Sequence, residues 1–249
     1  MTEKVFIGTS GWNYKMWQGV FYPEKLASKD YLNYYSKFFN TVEINSSFYH
    51  FPRETSYKNW YNRTMAGFVF SVKVHRSITH IKRFVDVEEE WKTFVKGVKI
   101  LKEKLSVILF QFPSSFRCNE ENLKRIEKFL DQVSGNETKL RFAFEFRHIS
   151  WDNEEISNLL KSHNAGWVIA NSSKYPEMEK ITSDFVYIRM HGPEQLFASE
   201  YSTAQLRDLA SKVKIWKKEM DVFVYFNNDF YGYAVKNAMK LVKLCQEAK

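Results

Sequence analysis

The stretch RFAFEFRH, residues 141–148, sets Glu145 and Arg147 two positions apart in a run otherwise rich in phenylalanine. Side chains alternate faces along a strand, so Phe142, Phe144 and Phe146 share one side while Arg141, Ala143, Glu145 and Arg147 share the other. The same count of two puts polar residues on one parity in the other apolar runs: Glu43 and Asn45, Ser71 and Lys73, Gln111, Asn171, Arg189 and His191, Asn227 and Asp229. Glu43, Glu145 and His191 are candidate proton donors and acceptors, because burial and neighbouring charge bring such groups towards neutral pKa values. Lys73, Arg147 and Arg189 are a candidate clamp for an anion, since guanidinium groups grip phosphate and carboxylate in bidentate fashion. Asn45, Gln111, Asn227 and Asp229 complete the expected ligand-binding set.

Each assignment has a plainer competitor. The arginines can pair internally with the carboxylates, and His191 can be a hydrogen-bonded structural histidine. Formal charges balance, with Lys73, Arg147 and Arg189 against Glu43, Glu145 and Asp229. A Schiff-base role for Lys73 competes with the same carboxylates, which would hold it protonated. Magnesium or manganese on Glu43, Glu145, His191 and Asp229 suits an oxygen-rich set, although three cations nearby argue against it. There is no metal-spaced motif such as HExxH, and no cofactor is expected. The loop GWNYKMWQGVFYP supplies Trp12, Tyr14, Trp17, Phe21 and Tyr22, and SSFYHF adds Phe48 and Tyr49. Trp12, Tyr14 and Tyr49 are the expected contacts to a sugar or nucleobase face, with Trp17 and Phe21 assigned to a packed lid.

Positioning these groups falls to about eight short apolar runs: VFIGTS, TVEINSSF, FVFSVKVH, VILFQFP, RFAFEFRH, WVIANS, FVYIRMHG and VFVYFNND. Stretches of helical spacing lie between most of them, for example Trp91, Phe94, Val95, Val98, Leu101 and Leu105 on one stripe. Asp152 and Glu155 form a capping pair ahead of Ile156. This alternation predicts an α/β fold, one (β/α)8 TIM-barrel-like domain over residues 1–249, with polar residues late in the strands at the C-terminal mouth. The connection SKYPEMEKITSD, between strands 6 and 7, contains Pro176 and lacks a helical stripe, so it is expected to be helix-poor. No Gly-rich fingerprint follows the first strand, which disfavours an open nucleotide-binding sheet.

The chain has 249 residues, 44% of them hydrophobic and 17% aromatic, enough for a sizeable core. Its net charge of +8 is spread over segments such as KTFVKGVKILKEKL, so solvated helix faces account for it better than a nucleic-acid arm does. Cys118 and Cys245 fit neither a disulfide framework nor a zinc site. With no apolar run long enough to span a bilayer and no leader ahead of EKVFIGTSGW, a cytoplasmic protein without membrane contact is expected.

The segments GTSGWNYKMWQGVFYP, FFNTVEINSSFYHFP, FSVKVHRSITH, LFQFP, FEFRHISW, YIRMHG and YFNNDFYGYAVKNA together resemble the domain of unknown function 72 family, the YecE-like proteins. The resemblance covers nearly the whole chain in order and implies a TIM-barrel-like fold, without supplying a settled activity. Its motifs fall on the residues above and also on Trp17, Phe48, His80, His148 and Asn228. The leading expectation is an enzyme using isomerase- or hydrolase-type acid/base chemistry on a small anionic or sugar-like ligand, a phosphorylated sugar or nucleotide. The second, from a different class, is a non-catalytic protein that binds single-stranded nucleic acid.

Overall fold

A computed structural model describes residues 4–136 and 140–247. Eight parallel strands run β1 (Val5–Thr9), β2 (Thr41–Ile44), β3 (Val69–Lys73), β4 (Leu105–Gln111), β5 (Arg141–Glu145), β6 (Gly166–Asn171), β7 (Phe185–Met190) and β8 (Asp221–Phe226). From β2 to β8 each strand pairs with its sequence neighbour, and β1 pairs with β8 but, among the described residues, not along a ladder with β2, so the sheet curls into a nearly closed barrel. The helices α1 (Tyr31–Tyr35), α2 (Glu54–Asn62), α3 (Glu88–Val98), α4 (Glu120–Asn136), α5 (Glu154–Ser162), α6 (Thr203–Trp216) and α7 (Tyr233–Gln246) flank it. Between β6 and β7 there is no helix, in line with Pro176 and the missing apolar stripe.

The seam between β1 and β2 is stitched largely by side chains. Near its top, the Gly11 amide donates to the Glu43 carbonyl at 2.8 Å. Lower down, the Tyr35 hydroxyl accepts from the Thr9 amide at 2.9 Å and donates to the Thr41 carbonyl at 3.1 Å. Asn40 donates to the Val5 carbonyl and accepts from the Ile7 amide. Gly8 is required here, because a Cβ would fall on the Thr41 carbonyl and the Tyr35 hydroxyl.

Inward parity builds a separate core inside the barrel. Phe6, Val107, Leu109, Ala143, Val168, Ala170, Phe185, Tyr187, Phe223 and Tyr225 pack there, apart from the outer layer between sheet and helices. Phe6 and Phe223 stack with ring centroids 4.9 Å apart. Above them the Tyr225 hydroxyl meets Thr41 Oγ1 at 2.7 Å and Ser71 Oγ at 2.8 Å. The interior is therefore plugged below its C-terminal end.

Three local expectations change. Asn171 has the outward parity of Trp167 and Ile169; its side chain donates to Glu177 and accepts from the Tyr201 hydroxyl, away from the mouth. The inward positions of β6 are Val168 and Ala170, so this strand carries no polar mouth residue. The cap of α5 is Asn153, whose side chain accepts from the Ile156 amide, while Asp152 pairs with Lys180. The stripe expected to run to Leu105 breaks where Lys102 takes φ 51°, and Leu105 opens β4.

Candidate functional site

Arg189 of β7 is the centre of the mouth, 1% exposed. Its Nε and Nη2 donate to the two oxygens of Glu43 at 3.0 and 2.7 Å, while Nη1 donates to Glu145 Oε2. Glu43 also accepts from Ser10 Oγ at 2.6 Å and from the Tyr187 hydroxyl at 2.7 Å. Arg147 Nε donates to the other oxygen of Glu145 at 2.7 Å. Both carboxylates are fully buried and every oxygen is used. Burial is the largest single influence and pushes the Glu43 and Glu145 carboxyls up, but Arg189 with the Ser10 and Tyr187 hydrogen bonds on Glu43, and Arg189 with Arg147 and His191 on Glu145, together outweigh it, and both lie below the usual carboxylate range.

His191 sits one pleat beyond Arg189. Asn227 Nδ2 donates to His191 Nδ1 at 3.0 Å, which leaves the proton of the neutral ring on Nε2, 3.4 Å from Glu145 Oε1. Burial drives this imidazole down to about 4, against the pull of Glu145.

The other side of the mouth is far less committed. Lys73, at the end of β3 and 9% exposed, donates to Gln111 Oε1 at 2.7 Å and lies 3.9 Å over the Phe48 ring. It makes no ion pair among the described residues. Burial, then the Arg189 and Arg147 charges, lower it to about 7. His80, lowered to about 4 by burial and by Lys73 and nearby arginines, packs edge-on to Phe48 and touches the Gln111 amide at 3.5 Å.

Asp229, just past β8, is the third carboxyl and the exception. Tyr14 has one hydroxyl hydrogen, and its closest acceptor is the Ser10 carbonyl at 2.6 Å. Asp229 Oδ2, a second acceptor, lies 3.1 Å from that same hydroxyl, so the one hydrogen is shared between the two. Among the described residues Asp229 Oδ1 has no hydrogen-bond partner, and neither does Asn45 Oδ1. Burial pushes Asp229 up to about 7, and the Tyr14 contact offsets only part of this.

These uncommitted groups line a pocket of about 690 Å³, within the few hundred to a thousand Å³ typical of small-ligand sites. Its walls are Tyr14, Met16, Asn45, Phe48, Tyr49, Lys73, Arg76, His80, Gln111, Arg147, Arg189, Phe197, Asn227, Asp229 and Phe230. Glu43, Glu145 and His191 lie beneath it. Trp12 is directed elsewhere, edge-on to Trp60 of α2 at 5.6 Å. His75 stacks on Phe51, and His148 accepts from the Ser150 amide to cap a short turn. Among the described residues no three His, Cys, Asp or Glu side chains are grouped to hold a metal ion, and no helix is long and apolar enough to cross a membrane.

Sequence reasoning missed Arg76, Met16, Phe197 and Phe230 in the walls and Ser10 and Tyr187 below. Tyr187 shares the parity of Arg189, and Ser10 follows β1 on the inward count, so the two-residue rule reaches both. The wall residues sit in loops, where parity gives no guide.

A family model described as "Protein of unknown function DUF72" matches residues 6–249. UPF0759 protein YunF of Bacillus subtilis (strain 168) is 27% identical, over 96% of this chain and 94% of its own. The crystal structure of a DUF72 family protein from Thermotoga maritima MSB8 superposes with a TM-score of 0.89 at 30% identity, covering 98% of this chain and 100% of that one. A DUF72 family protein from Enterococcus faecalis V583 gives a TM-score of 0.83 at 21% identity, over 98% and 96% of the two chains.

Proposed function

The chain belongs to the DUF72 family, whose members share this barrel without an assigned reaction, and on that premise we propose that it is an enzyme carrying out acid/base chemistry on a small anionic, polyhydroxylated ligand. A phosphorylated sugar is the first class to test. The observation that carries the reading is Asp229, a carboxyl with one unpartnered oxygen, lining the same pocket as the guanidinium of Arg147. Arg147 uses only Nε on Glu145; among the described residues its two terminal nitrogens have no hydrogen-bond partner, and Arg76 adds a second cation in the wall. The anion then rests on Arg147 and Arg76, while Asp229 exchanges a proton with a hydroxyl or carbonyl of the ligand. Glu43 and Glu145, saturated by Arg189, fit a positioning role better than proton transfer: they hold Arg189 in place, and Glu145 orients Arg147. The free thiols Cys118 and Cys245 suit the cytoplasm.

Thermal unfolding against phosphorylated sugars, free sugars, nucleotides and inorganic phosphate tests this. A ligand at a hundred times its Kd adds about 2.7 kcal/mol of stability. The expected result is a shift with a phosphorylated class that is lost in Arg147→Ala. A panel of phosphorylated ligands that leaves the unfolding temperature unchanged removes the reading.

A second reading has its own observation. Tyr49, Phe230 and Tyr231 are 68%, 52% and 67% exposed around this basic mouth, an arrangement that also suits stacking on unpaired bases. It predicts oligonucleotide binding that weakens steeply with salt; binding absent at low salt ends it.

A further inference from the structure

Lys73 is a buried amine with no counter-ion among the described residues. Its nitrogen donates to the neutral amide oxygen of Gln111 at 2.7 Å, and the Phe48 ring covers it at 3.9 Å. The carboxylates that would ordinarily keep it protonated are spoken for: Glu43 by Arg189, Ser10 and Tyr187, and Glu145 by Arg189 and Arg147. Charged neighbours on the surrounding elements are Arg189 on β7, Glu145 at the end of β5 with Arg147 just after it, and Glu43 on β2, with His80 and Arg76 after β3. A desolvated amine beside cations and open to a ligand pocket is the arrangement that frees a lysine lone pair for attack on carbonyl carbon.

We propose that Lys73 is a nucleophile that forms an imine with an aldehyde or ketone bound in the mouth pocket. The Nζ lone pair attacks the carbonyl carbon, and the carbonyl π electrons take up a proton to give a hydroxyl. Nitrogen then gives up one proton, leaving a neutral carbinolamine; the hydroxyl takes up a proton and leaves as water while the nitrogen lone pair forms the C=N bond, and loss of the last N–H proton from the protonated imine returns the proton taken up. No oxidant or reductant enters this step. The proposal goes beyond the anion reading and makes the pocket a site for carbonyl compounds.

Reductive trapping tests it on the intact protein. Glycolaldehyde, a neutral probe, and glyoxylate, an anionic one, are each incubated with sodium cyanoborohydride at pH 6 to 10. Hydride delivered to the imine carbon leaves a secondary amine, which peptide mass mapping locates. An ordinary lysine is deprotonated to less than one part in a thousand at pH 7. Lys73 is accordingly expected to label at least about 100-fold faster than Lys96, whose side chain is 79% exposed. Gln111→Glu, which supplies the missing carboxylate, is expected to slow labelling at pH 7 by about tenfold or more and to recover at higher pH. Lys73→Arg removes the label. If that variant does not fold, the pH profile of the unaltered protein decides.

Lys73 left unlabelled at pH 7, or labelled no faster there than Lys96, overturns the proposal. So does an unchanged rate in Gln111→Glu, because labelling would then follow access and not the absent counter-ion. The two readings fail separately. A phosphorylated ligand that raises the unfolding temperature without Lys73 trapping leaves the anion site and removes the imine; trapping without such a shift does the reverse.

Discussion

The two halves of the barrel mouth use the same residue types to opposite ends. Around Arg189, two carboxylates, the Nε of a second arginine, a serine and a tyrosine satisfy one another with hydrogen bonds mostly between 2.6 and 3.0 Å. Across the pocket, among the described residues, Lys73 has only a neutral amide and a ring face, and Asp229 has an oxygen with no partner. Saturated charges are rigid and chemically quiet, because any change of protonation breaks several bonds at once. Unsaturated ones are poised: leaving a buried polar group unpaired costs about 1 to 3 kcal/mol, and a ligand that completes its bonding recovers that energy. The quiet half is the scaffold on which the reactive half is held.

The largest expected effect lies in the saturated half. Arg189→Met leaves Glu43 and Glu145 as two buried carboxylates without their principal partner, and the expected loss is about 3 to 5 kcal/mol in chemical denaturation. Adding Glu43→Gln and Glu145→Gln to that variant removes the uncompensated charge and should return a large part of the loss. A triple variant no more stable than Arg189→Met would show that shape, and not charge, is what the network supplies. Asp229→Asn, by contrast, is near-isosteric and should cost little at mildly acidic pH, below the value of about 7 at which Asp229 is half protonated.

A smaller, signed effect separates the halves by pH. Asp229 binds its proton more tightly folded, near 7, than unfolded, near its ordinary 3.8. Its contribution is therefore complete below the unfolded value and is lost as pH rises from about 4 to 7. Lys73 binds its proton less tightly folded, near 7, than unfolded, near 10.5. Its contribution is therefore gained as pH rises from about 7 to 10. Each slope is bounded at about 1.4 kcal/mol per pH unit for one proton. Measured as differences from the unaltered protein, Asp229→Asn should abolish the falling limb and Lys73→Gln the rising one. Superimposable pH profiles would place both groups in the quiet class.

How much of this was legible in sequence follows from the range of the signals. Strand parity is local, and it brought Glu43, Lys73, Gln111, Glu145, Arg147, Arg189, His191, Asn227 and Asp229 to one end of the barrel. Asn171 misled because its place at the end of an apolar run was weighed above its parity, which is that of Trp167 and Ile169. Pairing is non-local: Glu43 and Arg189 are 146 residues apart, and nothing in the order of residues says which carboxylate an arginine takes. A balanced count of charges therefore suggested that Lys73 had a carboxylate partner, when both carboxylates nearest in charge count were bound to arginine. Loop side chains such as Trp12 answer to packing, here against Trp60, and no periodicity reports that.

The smallest effect concerns the rim and tests how far the reactive half extends. Tyr49 is 68% exposed, touches Phe48 edge-on at 5.1 Å and lines the pocket. An exposed ring contributes little to folding, so Tyr49→Ala should change stability by no more than about 0.5 kcal/mol. Its influence on a bound ligand depends on which reading holds. A phosphorylated sugar held by Arg147 and Arg76 makes its main contacts deeper in the pocket, and the thermal shift it gives should survive the substitution nearly intact. A nucleobase stacked at the rim would lose about 1 to 3 kcal/mol with the ring. A Tyr49→Ala variant of unchanged stability that keeps the sugar phosphate shift therefore confines the reactive half to the pocket between Lys73 and Asp229. One that loses an oligonucleotide signal extends it to the aromatic rim.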